Sequence, residues 1–253
     1  MPVRYALVVS YDVTERKQAE QRKDRFLAVL GHELRNPLAA VSTAMALLKR
    51  GTTPGAAEHA HTIVGRQLAQ ISRLVEDLQD LSGIQHGQVE LKRGLSRVDE
   101  LVEEVVAGAR ATADAKGQTL RLPAEPLAAW ADAVRLAQVV NNMLGNALKY
   151  TGRGGSIVVL LAAAPDGFRI EVADDGAGMS AATLAGVFEL FNRGQHAVAE
   201  DDAGFGIGMW LAHQFVCLHG GTISATSEGP GLGSRFVARL PLGAPPAGDV
   251  MAR

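Results

Sequence analysis

Residues 60–81 read AHTIVGRQLAQISRLVEDLQDL, and their apolar residues recur every three or four positions. The members of this stripe are Ala60, Val64, Leu68, Ile71, Val75, Leu78 and Leu81. Such spacing is typical of the apolar face of a long helix, predicted here over about 56–84. A first long helix is predicted over about 14–49, and Gly51 and Pro54 end it.

The two predicted helices are joined by a short loop and are expected to pack antiparallel as a hairpin. In a lone hairpin each apolar stripe has one partner, so much apolar surface remains in water. Two hairpins are therefore expected to pair as a four-helix bundle. This pairing predicts a homodimer.

After Gly87 the pattern changes to shorter elements. Helices are predicted over 99–116, 133–150, 180–190 and 207–219, and strands over 119–122, 156–163, 168–173, 222–227 and 235–241. The turn at Pro165-Asp166-Gly167 indicates that two of these strands form a hairpin. The result is a mixed α/β domain with helices on one side of a largely antiparallel sheet, and an α+β fold class for the chain.

The composition is that of a globular protein. Of the 253 residues 47% are hydrophobic, and 25 basic and 27 acidic side chains leave a formal net charge of −2. This balance argues against intrinsic disorder and against a strongly basic nucleic-acid binder, so no nucleic-acid partner is expected. The apolar runs are too short for a membrane span or a signal peptide, so no membrane segment is expected in this chain. One cysteine cannot form an internal disulfide, and the chain is expected to be cytoplasmic. The single cysteine, Cys217, lies in an apolar stretch and is expected to be buried.

His32 lies off the apolar stripe of the first helix. That stripe consists of Phe26, Leu30, Leu34, Val41, Met45 and Leu48. Two residues past Leu30, His32 projects about 200° away from it and towards solvent, with Asn36 one turn further on the same face. From this geometry alone, an incidental histidine on a polar helix face is the commoner explanation.

The stretch at 26–38, FLAVLGHELRNPL, closely resembles the phosphoacceptor box of sensor histidine kinases. The resemblance continues over nearly the whole chain and implies that His32 accepts a phosphoryl group from ATP. A neutral imidazole is a good nucleophile near neutral pH. Glu33 can accept the hydrogen of the second ring nitrogen and so fix the tautomer. Pro37 removes a helix hydrogen bond and is expected to permit a bend.

Residues 132–151, DAVRLAQVVNNMLGNALKYT, place Asn142, Asn146 and Lys149 on one helix face. Amide oxygens suit Mg²⁺, and a lysine adds a charge for phosphates. The stretch resembles the N-box of the same family. This resemblance implies that Asn146 holds the metal ion and that Tyr150 lies near the adenine.

The first glycine-rich stretch, DDGAGM at 174–179, follows a predicted strand. Glycines at alternate positions, here Gly176 and Gly178, let the backbone approach a ligand closely. The stretch resembles the family's first glycine box. In that resemblance Asp174 is the carboxylate that accepts a hydrogen bond from the adenine amino group.

The second glycine-rich stretch, GFGIGM at 204–209, opens a predicted helix, where free N–H groups favour a phosphate. It resembles the second glycine box and contributes Gly204, Gly206 and Gly208 to the expected nucleotide site. The polar loop before it is predicted to be a mobile lid, with Arg193 placed to reach the terminal phosphate. The resemblance implies a two-layer α/β sandwich of the gyrase and heat-shock chaperone type that binds ATP and Mg²⁺.

The N-terminal stretch at 8–20, VVSYDVTERKQAE, resembles the last strand and exit helix of a PAS sensor domain. Four segments are therefore expected. They are 1–13, the terminal strand of a truncated PAS-like sensor; 14–86, a signalling helix and dimerisation and phosphoacceptor hairpin; 87–243, an ATP-binding catalytic domain; and 244–253, a disordered tail.

The resemblance implies a two-component sensor histidine kinase. It would phosphorylate itself on His32, pass the group to an aspartate of a response-regulator receiver domain, and dephosphorylate that regulator with Asn36 orienting the water. One alternative is a degenerate kinase that serves as a dimeric scaffold, but every expected box residue is present. Another is an ATPase of the wider fold family with no phosphoacceptor, and the intact pair of His32 and Glu33 argues against it.

Overall fold

The computed structural model describes residues 14–49, 53–192 and 206–244. The chain divides into two compact units, residues 1–71 and 72–253. The expected N-terminal strand at 1–13 and residues 245–253 of the expected tail lie outside the described residues.

Two long helices, α1 (Thr14–Lys49) and α2 (Pro54–Gln85), confirm the predicted hairpin elements. In the first unit their small residues Ala44 and Ala60 are buried. Several large apolar side chains stay exposed, among them Met45 at 43% and Leu68 at 53%. Within the residues that the structure describes, about half of the surface of these side chains stays exposed, as expected for half of a larger bundle.

The second unit contains the remaining helices and all described strands. The helices are α3 (Val98–Ala115), α4 (Ala133–Tyr150), α5 (Ala181–Ala185) and α6 (Gly208–Leu218). The strands are β1 (Gly94–Arg97), β2 (Thr119–Arg121), β3 (Ala128–Ala131), β4 (Ser156–Ala164), β5 (Gly167–Asp174), β6 (Thr222–Thr226) and β7 (Ser234–Leu240).

Five strands form the main sheet in the order β2-β4-β5-β7-β6. All neighbours are antiparallel except β2 and β4, which are parallel. Alternate residues of the central strands are fully buried, as in Val159 of β4, which pairs with Val172 of β5. Helices α3, α4 and α6 pack against this sheet. The predicted mixed domain, with helices on a largely antiparallel sheet, is confirmed.

A second, two-stranded sheet of β1 and β3 was not predicted. Each of its strands has four residues, and the sequences GLSR and AAWA lack the β-branched alternation that indicates a strand. Backbone hydrogen bonds from neighbouring segments hold the pair, including one from Trp130 N–H to the Leu242 carbonyl at 2.7 Å. Tertiary pairing, rather than local propensity, forms this sheet.

The helix predicted over 180–190 is shorter in the structure, where α5 ends at Ala185. Ser180 caps it by accepting a hydrogen bond from Thr183 N–H. The side-chain amide of Asn192 then donates to the Gly186 carbonyl at 2.8 Å, in place of a continuing helix bond.

The expectation that Cys217 is buried was wrong, since it is exposed. Helix α6 buries Met209, Leu211, Ala212, Phe215 and Val216. At about 100° per residue, Cys217 falls on the opposite side of the helix. Its Sγ lies 3.9 Å from the ring nitrogens of His213, one turn earlier. The apolar residues next to Cys217 in the sequence therefore did not show on which face of α6 its side chain lies.

Within the described ranges, no helix is both long enough and apolar enough to span a membrane.

Candidate functional site

Helix α4 carries one buried face and one polar face. Its buried residues include the predicted set Leu136, Val139, Val140, Met143 and Ala147. Asp132 caps its start by accepting a 3.1 Å hydrogen bond from Arg135 N–H. The polar residues Asn142, Asn146 and Lys149 fall between the buried positions and are only partly covered. The prediction that α4 has one buried face and one polar face is confirmed.

Asn142 meets the start of helix α6. A Cβ atom added to Gly208 would lie 3.0 Å from Asn142 Oδ1, so a side chain at Gly208 would crowd this amide. The Asn142 Nδ2 group is buried and has no hydrogen-bond partner in the described part of the chain. A buried donor of this kind is left unsatisfied until an acceptor reaches it, and phosphate oxygens are acceptors.

The Asp174 carboxylate is held at the end of β5. Its Oδ1 accepts from Gly176 N–H at 2.9 Å, and its Oδ2 accepts from the Ser234 hydroxyl at 2.6 Å. Burial raises the pKa of Asp174, and the hydrogen bonds from Ser234 and Gly176 oppose that rise. Its two hydrogen bonds therefore fix the orientation of this half-buried carboxylate.

Ser234 was not among the predicted site residues. It is the first residue of β7 and pairs directly with Asp174 across the sheet. Both flanking strands were predicted, but not their register, and register decides which side chains meet. A correct alignment of β5 with β7 would have identified it.

The first glycine box lies against the end of α4. Ala177 N–H donates to the Tyr150 carbonyl at 3.0 Å, and a Cβ atom on Gly176 would lie 2.4 Å from that oxygen. The Lys149 Nζ atom lies 4.8 Å from the centre of the Tyr150 ring. Asp174, Gly176 and Tyr150 thus lie together.

Gly178 lies further along the same loop with a φ of +63°, and a Cβ atom there would lie 2.1 Å from the Gly229 carbonyl oxygen. Near the second glycine box, Phe191 N–H donates to the Gly206 carbonyl at 3.1 Å. This bond joins the two ends of the segment between them. Arg193 and Gly204 lie outside the described residues.

His32 and Glu33 lie within helix α1. Asn36, one turn later, is exposed, and Pro37 is buried. The helix continues through Pro37 to Lys49. The predicted acceptor histidine therefore lies on a helix of the first unit, whereas the glycine boxes belong to the second.

Two family models match the chain. Residues 22–87 match the His Kinase A (phospho-acceptor) domain. Residues 131–244 match the histidine kinase-, DNA gyrase B- and HSP90-like ATPase. The chain contains a histidine kinase catalytic core.

Curated relatives agree with this assignment. The kinase core is 36% identical over 231 residues to the probable sensor histidine kinase TcrY of Mycobacterium tuberculosis, covering 91% of this chain and 48% of TcrY. It is 31% identical over 229 residues to the sensor histidine kinase RcsC of Escherichia coli K12, covering 89% of this chain and 24% of RcsC. The chain thus spans half or less of the length of these relatives.

Solved structures share the fold. The Acinetobacter baumannii histidine kinase AdeS matches 84% of this chain and 98% of its own chain, with a TM-score of 0.65 at 22% identity. Full-length ShkA in complex with AMPPNP matches 85% of this chain and 45% of its own chain, with a TM-score of 0.62 at 27% identity. These matches confirm the α+β architecture of a helical hairpin followed by an ATPase-type domain.

Proposed function

We propose that this kinase core transfers the γ-phosphoryl group of ATP to His32 and then to an aspartate of a response-regulator receiver domain. The observation that carries the proposal is the fixed Asp174 carboxylate beside Gly176 and Tyr150. It belongs to a chain that also matches a phosphoacceptor domain.

Adenine recognition is assigned to Asp174. An ionised carboxylate only accepts hydrogen bonds, so it selects a base with an amino donor. Its orientation is set in advance by Ser234 and Gly176, which lowers the entropy lost on binding. The side chain of Tyr150 is proposed to lie near the base.

The phosphates are assigned to the first turn of α6, where N–H groups without helix partners and the helix dipole favour anions. Asn142 adds its unpartnered amide donor, and Lys149 adds a positive charge. The amide oxygen of Asn146 suits Mg²⁺, which when bound would neutralise phosphate charge. Gly206 and Gly208, which have no side chains, are assigned to let the phosphates approach the backbone at the start of α6. Arg193 and Gly204 are also assigned to the phosphate end of the nucleotide.

In the transfer itself, an unprotonated ring nitrogen of His32 forms a bond to the γ-phosphorus, and the bond from that phosphorus to the bridging oxygen breaks to release ADP. Positive charge develops on the imidazole. Glu33 is assigned to accept the hydrogen of the second ring nitrogen, which holds the tautomer and stabilises this charge.

The working form is proposed to be a homodimer, supported by the exposed apolar side chains of the hairpin, such as Met45 and Leu68. Its phosphoryl donor is ATP, so we assign the core to the cytoplasm. Residues 1–13 are proposed to be the end of a PAS domain, on the strength of the resemblance at 8–20. The receiver domain is proposed to be a partner of this core, and the described residues are not assigned a role in sensing the signal.

The proposal is tested by ATP binding and labelling of Asp174→Asn. An amide can present donors to the adenine amino group, so we expect ATP affinity to fall by about 1.5 to 3 kcal/mol, roughly ten- to a hundredfold. Asp175→Asn is the matched control. The carboxylate of Asp175 is exposed and accepts a hydrogen bond from the N–H of Ser156, which is not a predicted site residue. Unchanged ATP affinity and labelling in Asp174→Asn would remove Asp174 from the site.

A further inference from the structure

The end of helix α4 meets the turn between α3 and β2, which none of the predicted site motifs includes. Gln118 is the buried side chain of this turn, with only 5% of its surface exposed. Its Nε2 atom donates to the Thr151 carbonyl at 2.6 Å. The same atom lies 3.3 Å from the Leu148 carbonyl oxygen and 3.4 Å from that of Gly152. One buried amide group therefore spans the last turn of α4.

Lys116 reinforces this contact. Its Nζ atom donates to the Leu148 carbonyl at 2.8 Å. The last carbonyls of a helix have no hydrogen-bond donor within the helix, so other groups must satisfy them when they are covered. Here an ammonium and an amide from one turn do so. These two residues, Lys116 and Gln118, are termed the α4 clamp.

Tyr150 lies between the α4 clamp and the first glycine box. Its own carbonyl accepts from Ala177 N–H at 3.0 Å. The carbonyls of Leu148 and Thr151, on either side of it in sequence, accept from the α4 clamp. The backbone at Tyr150 is therefore held from two directions. A shift of the helix end in either direction would break one set of these bonds.

Gln118 is a costly residue for filling this position. The carbonyl oxygens around Nε2 identify that atom as the amide donor. The other amide atom, Oε1, is buried and has no partner among the described residues. A buried unpaired acceptor lowers stability, and an apolar side chain of similar size would avoid this cost. The observation favours a role in positioning the helix end over a role in packing alone.

We propose that Gln118 and Lys116 are positioning residues for adenine recognition. They hold the end of α4 so that the side chain of Tyr150 faces the base accepted by Asp174. The inference rests on the proposed adenine site. Asn142, which is assigned to the phosphates, lies about 14 Å from Thr151 along the helix at the usual rise. Loss of the α4 clamp should therefore disturb binding of the base and leave placement of the phosphates unchanged.

Gln118→Met tests the proposal, because methionine keeps the length of the side chain and removes the amide. The KM for ATP in autophosphorylation should rise about fivefold or more, and the maximal rate should stay within twofold of the parent. The preference for ATP over GTP, measured as the ratio of the two kcat/KM values, should narrow by a similar factor. A loss of folded protein would lower both nucleotide rates equally and would leave this ratio unchanged.

Two further variants complete the test. Thr119→Val changes the exposed side chain next to Gln118 and should match the parent within twofold in both KM and preference. Lys116→Met removes one donor to the Leu148 carbonyl and should give a smaller change in the same direction as Gln118→Met. Because its side chain is only half-buried, it also provides the test if Gln118→Met does not fold.

The outcomes separate this inference from the proposed function. A parent chain that neither binds ATP nor becomes labelled would refute the proposed function. A labelled parent with an unchanged KM and an unchanged preference for ATP in Gln118→Met would overturn the α4 clamp alone. If that variant does not fold, an unchanged KM and preference in Lys116→Met would overturn it.

Discussion

The Ser234 hydroxyl donates a 2.6 Å hydrogen bond to the Asp174 carboxylate, joining the first residue of β7 to the last residue of β5. The two residues are direct partners in the sheet register. The position of the carboxylate therefore depends on the sheet as well as on the glycine-rich loop, whose Gly176 N–H donates to its other oxygen. This is the arrangement expected where ligand recognition needs a fixed acceptor.

Ser234→Ala should weaken ATP binding about tenfold, because a hydrogen bond to a charged group is lost. The same bond holds the pKa of Asp174 down against burial, so its loss raises that pKa further. The deficit of Ser234→Ala should therefore widen as pH falls. Calorimetric titration with ATP at each pH measures this, and Ser234→Thr should restore binding. A deficit that does not depend on pH would contradict the assigned role.

His219 should make the second unit less stable in acid. Its Nε2 accepts from Asp132 N–H at 3.1 Å, and its Nδ1 donates to the Phe215 carbonyl at 2.7 Å, so it is bound in the neutral form. Burial lowers its pKa below the ordinary 6.5. The unfolded chain therefore takes up a proton first, and stability falls as pH drops below about 6.5.

His219→Gln keeps an acceptor for Asp132 N–H but does not titrate. It should flatten the loss of unfolding free energy between pH 7.5 and 5.5. Urea unfolding followed by tryptophan fluorescence measures this in the second unit, which contains both Trp130 and Trp210. Equal pH dependence in parent and variant would show that His219 does not contribute.

Asn36 should separate two activities. It is exposed and lies one turn beyond His32 on α1, so a receiver domain docked at His32 would meet it. Its amide can orient a water for attack on the phosphoaspartate of the receiver. Asn36→Ala should leave autophosphorylation within a few fold of the parent and markedly slow dephosphorylation of the receiver. Equal dephosphorylation by the variant and an active parent would exclude this role.

The dimer should depend on the exposed apolar side chains of the hairpin. Leu68→Lys places a charge in the predicted bundle interior and should shift the chain towards monomer at micromolar concentration, as measured by light scattering. His61→Lys, on an exposed position of the same helix, should leave the dimer intact. A monomeric parent chain would refute the bundle.

Sequence periodicity predicted the parts of the fold that depend on local pattern. The ends and buried face of α4 agree with the prediction because apolar spacing and the Asp132 cap act within a few residues. Features set by distant pairing were missed. The sheet of β1 and β3, the contact of Ser234 with Asp174, and the contact of Asp80 with Arg135 each join residues far apart in the chain.

The central claim is that His32 accepts phosphate from ATP, and labelling of His32→Gln tests it most directly. The imidazole is acceptor and not part of the nucleotide pocket, so the variant should bind ATP as the parent does yet incorporate no label. Label on the parent should be lost in acid and survive alkali, as expected of a phosphoramidate. Label on His32→Gln, or acid-stable label on the parent, would contradict the account.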